Sequence, residues 1–368
     1  MLIAAVIIAF SGMSVDAPPF TPIMPQPDYT SIMVEKSRNQ EDAGRIVTHH
    51  GHWTRIDRTQ GLSHTSEYYS VASGARMTVS GQRSITLERK IGSTPNIDLE
   101  ARNTGERQTY LGESCTVWDQ WRTRQPVYGS NVSHLSCITD DGITLWEKTL
   151  HGDDVLSSVE ASRIERRPIA PEEVQAPRAL LTLDWWDTDL PSFDSPATPD
   201  HEAVMELSGA SSGAAKSIRT IRRLGPWQFL DETVGSRRWI LITHDSQQMQ
   251  LQYISDPSGA PKRLAIIRPD IISASSAHKL VSKMTELNRS ETILGESCRW
   301  FNMMPDVVDA GRQSCLTSDR IVLKEVLSGR PMIGEKEWTA VRLTRRPILL
   351  DEIKPPTELL DLHLWGLD

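Results

Sequence analysis

Hydrophobic and polar residues alternate along much of this chain. Ser84-Ile85-Thr86-Leu87-Glu88-Arg89 puts an apolar side chain at every second position and closes on the turn-like Gly92-Ser93-Thr94-Pro95-Asn96. A period of two is that of a pleated strand with one buried face. Ser157 to Ile164 alternates in the same way before Pro168, and Thr116-Val117-Trp118-Asp119-Gln120-Trp121 is a less regular case. Asp141-Gly142 separates Ser136-Cys137-Ile138-Thr139 from Ile143-Thr144-Leu145-Trp146, the pattern of a hairpin turn. Short strands at close spacing predict a mainly β protein built of antiparallel meanders, either a sandwich or a curved sheet.

The pattern occurs twice. Leu111-Gly112-Glu113-Ser114-Cys115 recurs unchanged as Leu294-Gly295-Glu296-Ser297-Cys298, and Ser136-Cys137 recurs as Ser314-Cys315. Arg166-Arg167-Pro168-Ile169 matches Arg345-Arg346-Pro347-Ile348. Upstream, Gly51 to Thr59 matches Gly225 to Thr233, and the tail Leu180 to Trp186 matches Leu359 to Trp365. The anchors lie at similar separations: 174 residues from Trp53 to Trp227, 183 from Cys115 to Cys298 and 179 from Arg166 to Arg345. The drift between them is the signature of surface-loop insertions. Residues 28–186 therefore form a first β-rich module and 203–368 a second, with a Pro-, Ser- and Asp-rich linker over 187–202. In each module the Leu-Leu-x-Leu-x-x-Trp tail is of ambiguous type and fits a helix packed on the sheet.

The repeat also organises the cysteines. Cys115 and Cys137 are symmetric about Pro126, and Cys298 and Cys315 about the Asp306–Val307 bond, both within turn-like segments. Each pair is thus expected on adjacent strands facing across a turn, where a disulfide is feasible. Of the three connectivities open to four cysteines, the repeat selects the one within each copy. Such bridges require an oxidising compartment. The amino terminus agrees: Leu2 to Phe10 is a short uninterrupted apolar run followed by small residues, resembling a secretory signal over residues 1–17 although no Lys or Arg precedes it. It is well short of the ~20 residues that span a bilayer. A periplasmic or secreted location is expected.

Charge narrows the partners. The formal net charge is −8, and the arginines are interleaved with acids, as in Arg163-Ile164-Glu165-Arg166. No basic stripe suited to nucleic acid is present.

The Gly-x-Trp-x-Arg-x-Asp stretch (Gly51 to Asp57), Thr-Gly-Glu-Arg-x-x-x-Leu-Gly-x-x-Cys (Thr104 to Cys115) and the closing Arg-Arg-Pro-x-x-Pro (Arg166 to Pro171) resemble the bacterial periplasmic lipoprotein-carrier-like superfamily. That resemblance implies a half-open β-barrel in each copy, with short helical segments, a helical lid and an apolar cavity that takes acyl chains. It makes Arg55 a candidate cavity residue. The second copy departs from the pattern, with Phe229 in place of Arg55 and Leu350 in place of Pro171, and neither copy shows an obvious lid helix.

Catalytic motifs are isolated. Gly209-Ala210-Ser211-Ser212-Gly213 fits a nucleophile elbow but sits among small polar residues and reads as a loop. Ser276-Ala277-His278-Lys279 fits Ser-x-x-Lys without the companion motifs, and His201-Glu202 begins a zincin pattern in which Met205 replaces the second His. His49-His50-Gly51-His52 is the densest imidazole cluster and reads as a surface strand. No catalytic residue, metal or cofactor is therefore assigned. The tryptophans suit either a packed core or a cavity rim. Trp53, Arg55, Trp118 and Trp227 are the candidate ligand-binding residues. The expected function is an exported, non-enzymatic protein that binds or carries an apolar ligand, a lipid or lipoprotein acyl chain, in a β-sheet cavity. A structural or protein-interaction module of the cell envelope is the alternative, and a hydrolase the second alternative.

Overall fold

A computed structural model describes residues 26–38, 40–81, 84–89, 102–119, 132–182, 198–208, 217–244, 249–267, 284–303, 311–328 and 335–368. The chain divides into two compact units. One reaches Leu180 and includes the carboxy-terminal Leu362–Asp368; the other spans Leu181–Asp361. The leader-like segment 1–17, most of the linker, the Ser211 motif, the Ser276 motif, Trp121, Trp185 and Trp186 lie outside the described residues.

The first unit contains β1 (Tyr29–Ser37), β2 (Gln40–His50), β3 (Trp53–Gln60), β4 (Ser63–Ser70), β5 (Ala75–Ser80), β6 (Ser84–Arg89), β7 (Arg102–Tyr110), β8 (Glu113–Asp119), β9 (Val132–Thr139), β10 (Thr144–His151) and β11 (Asp154–Arg166). All pair antiparallel, in the order β6-β5-β4-β3-β2-β1-β11-β10-β9-β8-β7. The second contains β12 (His201–Ser208), β13 (Ser217–Leu224), β14 (Trp227–Val234), β15 (Arg237–His244), β16 (Met249–Ser255), β17 (Pro261–Ile267), β18 (Thr285–Ile293), β19 (Glu296–Asn302), β20 (Gly311–Leu316), β21 (Val322–Ser328) and β22 (Glu335–Arg345). Its order, β17-β16-β15-β14-β13-β12-β22-β21-β20-β19-β18, repeats the first. Among the described residues β6 does not pair with β7, nor β17 with β18, so neither sheet closes into a barrel. β12 begins at His201, inside the stretch expected as linker.

Each sheet curls. In the first, β3 and β10 are four strand spacings apart, roughly 19 Å on a flat sheet. Yet Thr54 and Ile56 of β3 and Thr144 and Glu147 of β10 line one cavity of about 70 Å³. The side chains pointing into this curl form the core. Met33, Val47, Cys137, Ile143, Leu145 and Ala161 are buried there, and Met205, Ile221, Cys315, Ile321, Leu323 and Ala340 occupy the corresponding positions of the second copy.

One large side chain changes strand between copies. Val117 and Trp146 flank Cys137 on the β8–β9–β10 ladder, whereas Trp300 and Lys324 flank Cys315 on β19–β20–β21. The indole moves from one neighbour of the disulfide to the other. Burying a Trp removes roughly 200 Å² from water, at most about 5 kcal/mol, so this exchange keeps a large part of the core energy in each copy.

The repeated motifs are tied to one another by ion pairs. Leu111 and Gly112 have φ of 53° and 78°, and Leu294 and Gly295 have 55° and 78°, the two left-handed residues of a tight hairpin turn. The Glu that follows accepts both arms of the closing Arg: Arg166 donates to Glu113 at 2.6 and 2.8 Å, and Arg345 to Glu296 at 2.5 and 2.6 Å. The same guanidinium reaches the β9–β10 turn at Asp141, or the β20–β21 turn at Asp319, at 2.9 Å in each copy. The next arginines, Arg167 and Arg346, fork onto Glu173 and Glu352. Those carboxylates also accept the backbone N–H of Ala170 and Leu349, and both are pulled down to about 2, first by the arginine and then by that N–H. The turn they brace is helix α1 (Pro171–Val174) in the first copy and a 3₁₀ turn, Leu350–Glu352, in the second. The first residue of the turn is Pro171, whose fixed φ suits a helical start, in one copy and Leu350 in the other.

The tails are short helical turns: Arg178–Leu181 in the first copy, Thr357–Leu360 and α2 (Leu362–Trp365) in the second. α2 packs with the first unit, where Ser73 Oγ donates to the Gly366 carbonyl at 2.7 Å.

Both disulfides pair within a copy, Cys115–Cys137 and Cys298–Cys315, with Cα–Cα distances of 5.4 and 5.3 Å. The cysteines are not directly opposite. Register places Cys115 against Thr139 and Val117 against Cys137, so the bridge runs diagonally, and Cys315 stands likewise against Trp300 rather than Cys298. Non-reducing peptide mapping should recover these two bridges alone. Replacing Cys115 and Cys137 together by Ser should lower the first copy's stability by about 3 kcal/mol in urea titration. An unchanged midpoint would contradict a bridge that constrains the unfolded chain.

Candidate binding site

The cleft inside each curl is built from equivalent positions. In the first copy Tyr29, Ser31 and Met33 contribute from β1, Arg45 and Val47 from β2, Thr54 and Ile56 from β3, and Glu147 from β10. Alternation within each strand turns these residues to the same face. Register with the neighbouring strands equates Tyr29 with His201, Arg45 with Arg219, Val47 with Ile221, Thr54 with Gln228, Ile56 with Leu230 and Glu147 with Glu325. All six of these second-copy residues line a cavity of about 40 Å³.

An Arg–Glu pair crosses each cleft. Arg45 and Glu147 stand 3.6 Å apart with side chains 18% and 12% exposed; Arg219 and Glu325 are 2.5 Å apart and only 5% and 4% exposed. Arg219 is further held by Glu232 at 2.7 Å and lies over the Trp338 ring at 4.2 Å. Arg312 binds the other Glu325 oxygen at 2.5 Å. Burial alone would raise the Glu325 carboxyl, but Arg312 and Arg219 outweigh it and hold the group below the usual range. The first cleft has a different balance: burial pushes the Tyr29 phenol up to about 12, keeping it protonated. Ser31 Oγ has no hydrogen-bond partner among the described residues, so this cleft retains an unused polar group.

The residues singled out from sequence lie elsewhere. Trp53 and Arg55 alternate with Thr54 and Ile56 and so occupy the opposite face of β3. Trp53 is buried; Arg55 binds Asp57 at 2.9 Å, donates to the Glu173 carbonyl at 3.3 Å and lies over Tyr68 at 5.5 Å. Trp118 is half-buried on β8, opposite Ser136. Trp227 meets His244 edge-on at 4.9 Å. None of the four lines the cleft of its own unit. Of the histidine cluster, His49 contacts Thr54 Oγ1 at 3.0 Å and stacks on Tyr29, while His50 pairs with Asp28 at 2.9 Å. His201 and Glu202 stand on an extended strand, not the helix a zincin site needs.

Sequence reasoning missed Arg45, Glu147, Arg219 and Glu325. A signal existed: Arg45 sits in the inward register of Ala43, Val47 and His49, and Arg219 in that of Ser217, Ile221 and Arg223. A charge at an inward position of both copies is the mark of a buried partner.

No family model matches the chain, and no curated protein matches it. Among solved structures, two crystal forms of PNGF-II align at 10% identity with a TM-score of 0.30, one covering 67% of this chain and 69% of that protein, the other 66% and 64%. Likeness at this level carries no argument.

Removing Glu325 leaves Arg219 facing Glu232 alone in a buried site. Glu325→Ala should cost about 3–5 kcal/mol, and Glu147→Ala less, because its pair is more exposed. Because the folded Glu325 carboxyl lies below its ordinary 4.5, its contribution is complete above that pH and lost as the pH falls through the folded value. Urea midpoints should therefore fall on acidification below 4.5, and less steeply in Glu325→Gln. Equal acid slopes in the two proteins would refute the assignment.

Proposed function

We propose that the chain is an exported, non-enzymatic module of the cell envelope that acts through its surface on a protein partner. The observation that carries this reading is the closed interior: the cleft of each sheet is crossed by an Arg–Glu pair beside cavities of about 70 and 40 Å³. Sites for small molecules run to roughly 300–1,000 Å³ and are mostly apolar. An acyl chain carried inside either sheet, the reading that the family resemblance favoured, requires both widening and loss of a buried ion pair.

Export is supported by the two disulfides and by the leader-like apolar run. Among the described residues no helix is long and apolar enough to cross a membrane. Two surface features support partner binding. Leu111 and Leu294 stand half-exposed at the hairpin tips in a left-handed conformation that disfavours a side chain, and both copies keep them. Strand addition to β7 or β18 is opposed by bulges at Gly105 and Asn288, by left-handed backbone there, and by interleaved charge. The tips are thus the better-suited contact points.

Native mass spectrometry with lipid extraction, on protein exported through its own leader, tests the closed interior. The expected result is a ligand-free protein that ignores added lipids; a co-purifying acyl species would overturn the proposal. In intact cells, a photo-crosslinking residue at 111 or 294 should give a discrete adduct that one at the exposed Val155 does not.

A further inference from the structure

The two clefts share a plan, and the second shows what keeps its ion pair tight. Glu325 receives Arg219 and Arg312, each at 2.5 Å, while Arg219 is also held by Glu232 and lies over the Trp338 ring. Register puts Arg58 at the position of Glu232, His134 at that of Arg312 and Val159 at that of Trp338. In the first copy Arg58 pairs with Glu35, and His134 contacts Thr149 Oγ1 at 3.0 Å. Arg45 and Glu147 are left facing one another at 3.6 Å, past hydrogen-bond reach.

Unsatisfied polar groups collect around that pair. Arg45 Nε and Ser31 Oγ are buried without a hydrogen-bond partner among the described residues. Ser31 is 1% exposed and lines the cavity. The second copy has Ala203 at this position, so the fold does not call for the hydroxyl. A buried hydroxyl left without a partner destabilises, and alanine would remove that cost. Tyr29 adds to the lining a phenol that burial keeps protonated, and so able to donate. Charge then selects the ligand, because one guanidinium and one carboxylate line the cavity. A lone anion on Arg45 would be repelled by Glu147 beside it, and a lone cation on Glu147 by Arg45. A neutral molecule with one positive and one negative end avoids both.

We propose that the cleft of the first copy binds a small α-amino acid as its zwitterion, with the carboxylate on Arg45, Ser31 and Tyr29 and the ammonium on Glu147. Charge-assisted hydrogen bonds of this kind are the strong ones. A single water needs roughly 10–15 Å³, so the cavity of about 70 Å³ takes a molecule of about five non-hydrogen atoms. The Arg45 and Glu147 side chains remain 18% and 12% exposed, so small solutes reach them from solvent. With so few atoms to hold it, the ligand is lost on dialysis, and purified protein is empty until it is added. This site stands independently of the protein-partner reading, which concerns the hairpin tips.

Isothermal titration of the full chain with glycine, at neutral pH and fixed ionic strength, tests it. Glycine should bind once per chain. Acetate and methylammonium, which carry one end each, should bind at least about tenfold more weakly. Ser31→Ala installs the second copy's own residue and Glu147→Gln preserves shape, so both variants should keep the fold, which circular dichroism verifies. Each should weaken glycine binding by about tenfold or more. Absence of glycine binding at millimolar concentration, acetate binding as tightly as glycine, or an affinity indifferent to both S31A and E147Q would overturn the site.

Discussion

The ion pair inside each curl is the constraint on which the rest of the structure depends. A charge on β2 or β13 that points inward must find a partner away from water, since an unpaired buried ion costs several kcal/mol. The partner stands on β10 or β21, three strands away across the sheet. Satisfying it requires the sheet to bend, and bending brings β3 opposite β10 across a cavity of about 70 Å³ and encloses Met33, Leu145 and Ala161. A one-residue slip in any of these strands would turn its charge outward and its apolar residues with it.

The outline of this fold was legible because local signals agreed with one another. Alternation at Ser84 to Arg89, the Asp141-Gly142 turn and the twofold Leu-Gly-Glu-Ser-Cys motif each depend on neighbours a few residues away, and each corresponds to an observed strand, turn or disulfide. What was not legible depends on residues far apart in sequence. Arg45 and Glu147 are separated by about a hundred residues; Arg45 falls in an inward register, but nothing near it in sequence names the carboxylate that meets it. Symmetry about Pro126 placed the cysteines opposite one another, but strand register displaces them by two residues, a shift that a count of loop residues cannot resolve. The tryptophans and Arg55 were prominent by residue type, whereas the cleft was built by position.

Duplication separates what the fold needs from what it permits. Both copies keep the Leu-Gly turn, the Glu that receives the closing Arg, the Thr-x-Asp turn and the second Arg on its helical turn. These contacts pin two hairpin connections and one helical turn to the end of the last strand, and their mutual geometry leaves little room for change. Inside the curl the copies diverge. The indole moves between strands, and Arg58, paired with Glu35 in the first copy, is replaced by Glu232 beside Arg219 in the second. The skeleton is shared, and the lining is free to specialise.

The carboxy-terminal turn gives the chain an order of completion. Gly366 accepts its hydrogen bond from Ser73, and Trp365 and Leu367 are buried, all within the unit formed by the first eleven strands. A chain emerging amino end first, from a ribosome or a membrane pore, can therefore assemble those strands early but cannot cover them fully until residues 362–368 have arrived. During that interval the nascent first unit shows apolar surface to whatever surrounds it, and chaperone binding in transit should centre on that unfinished face.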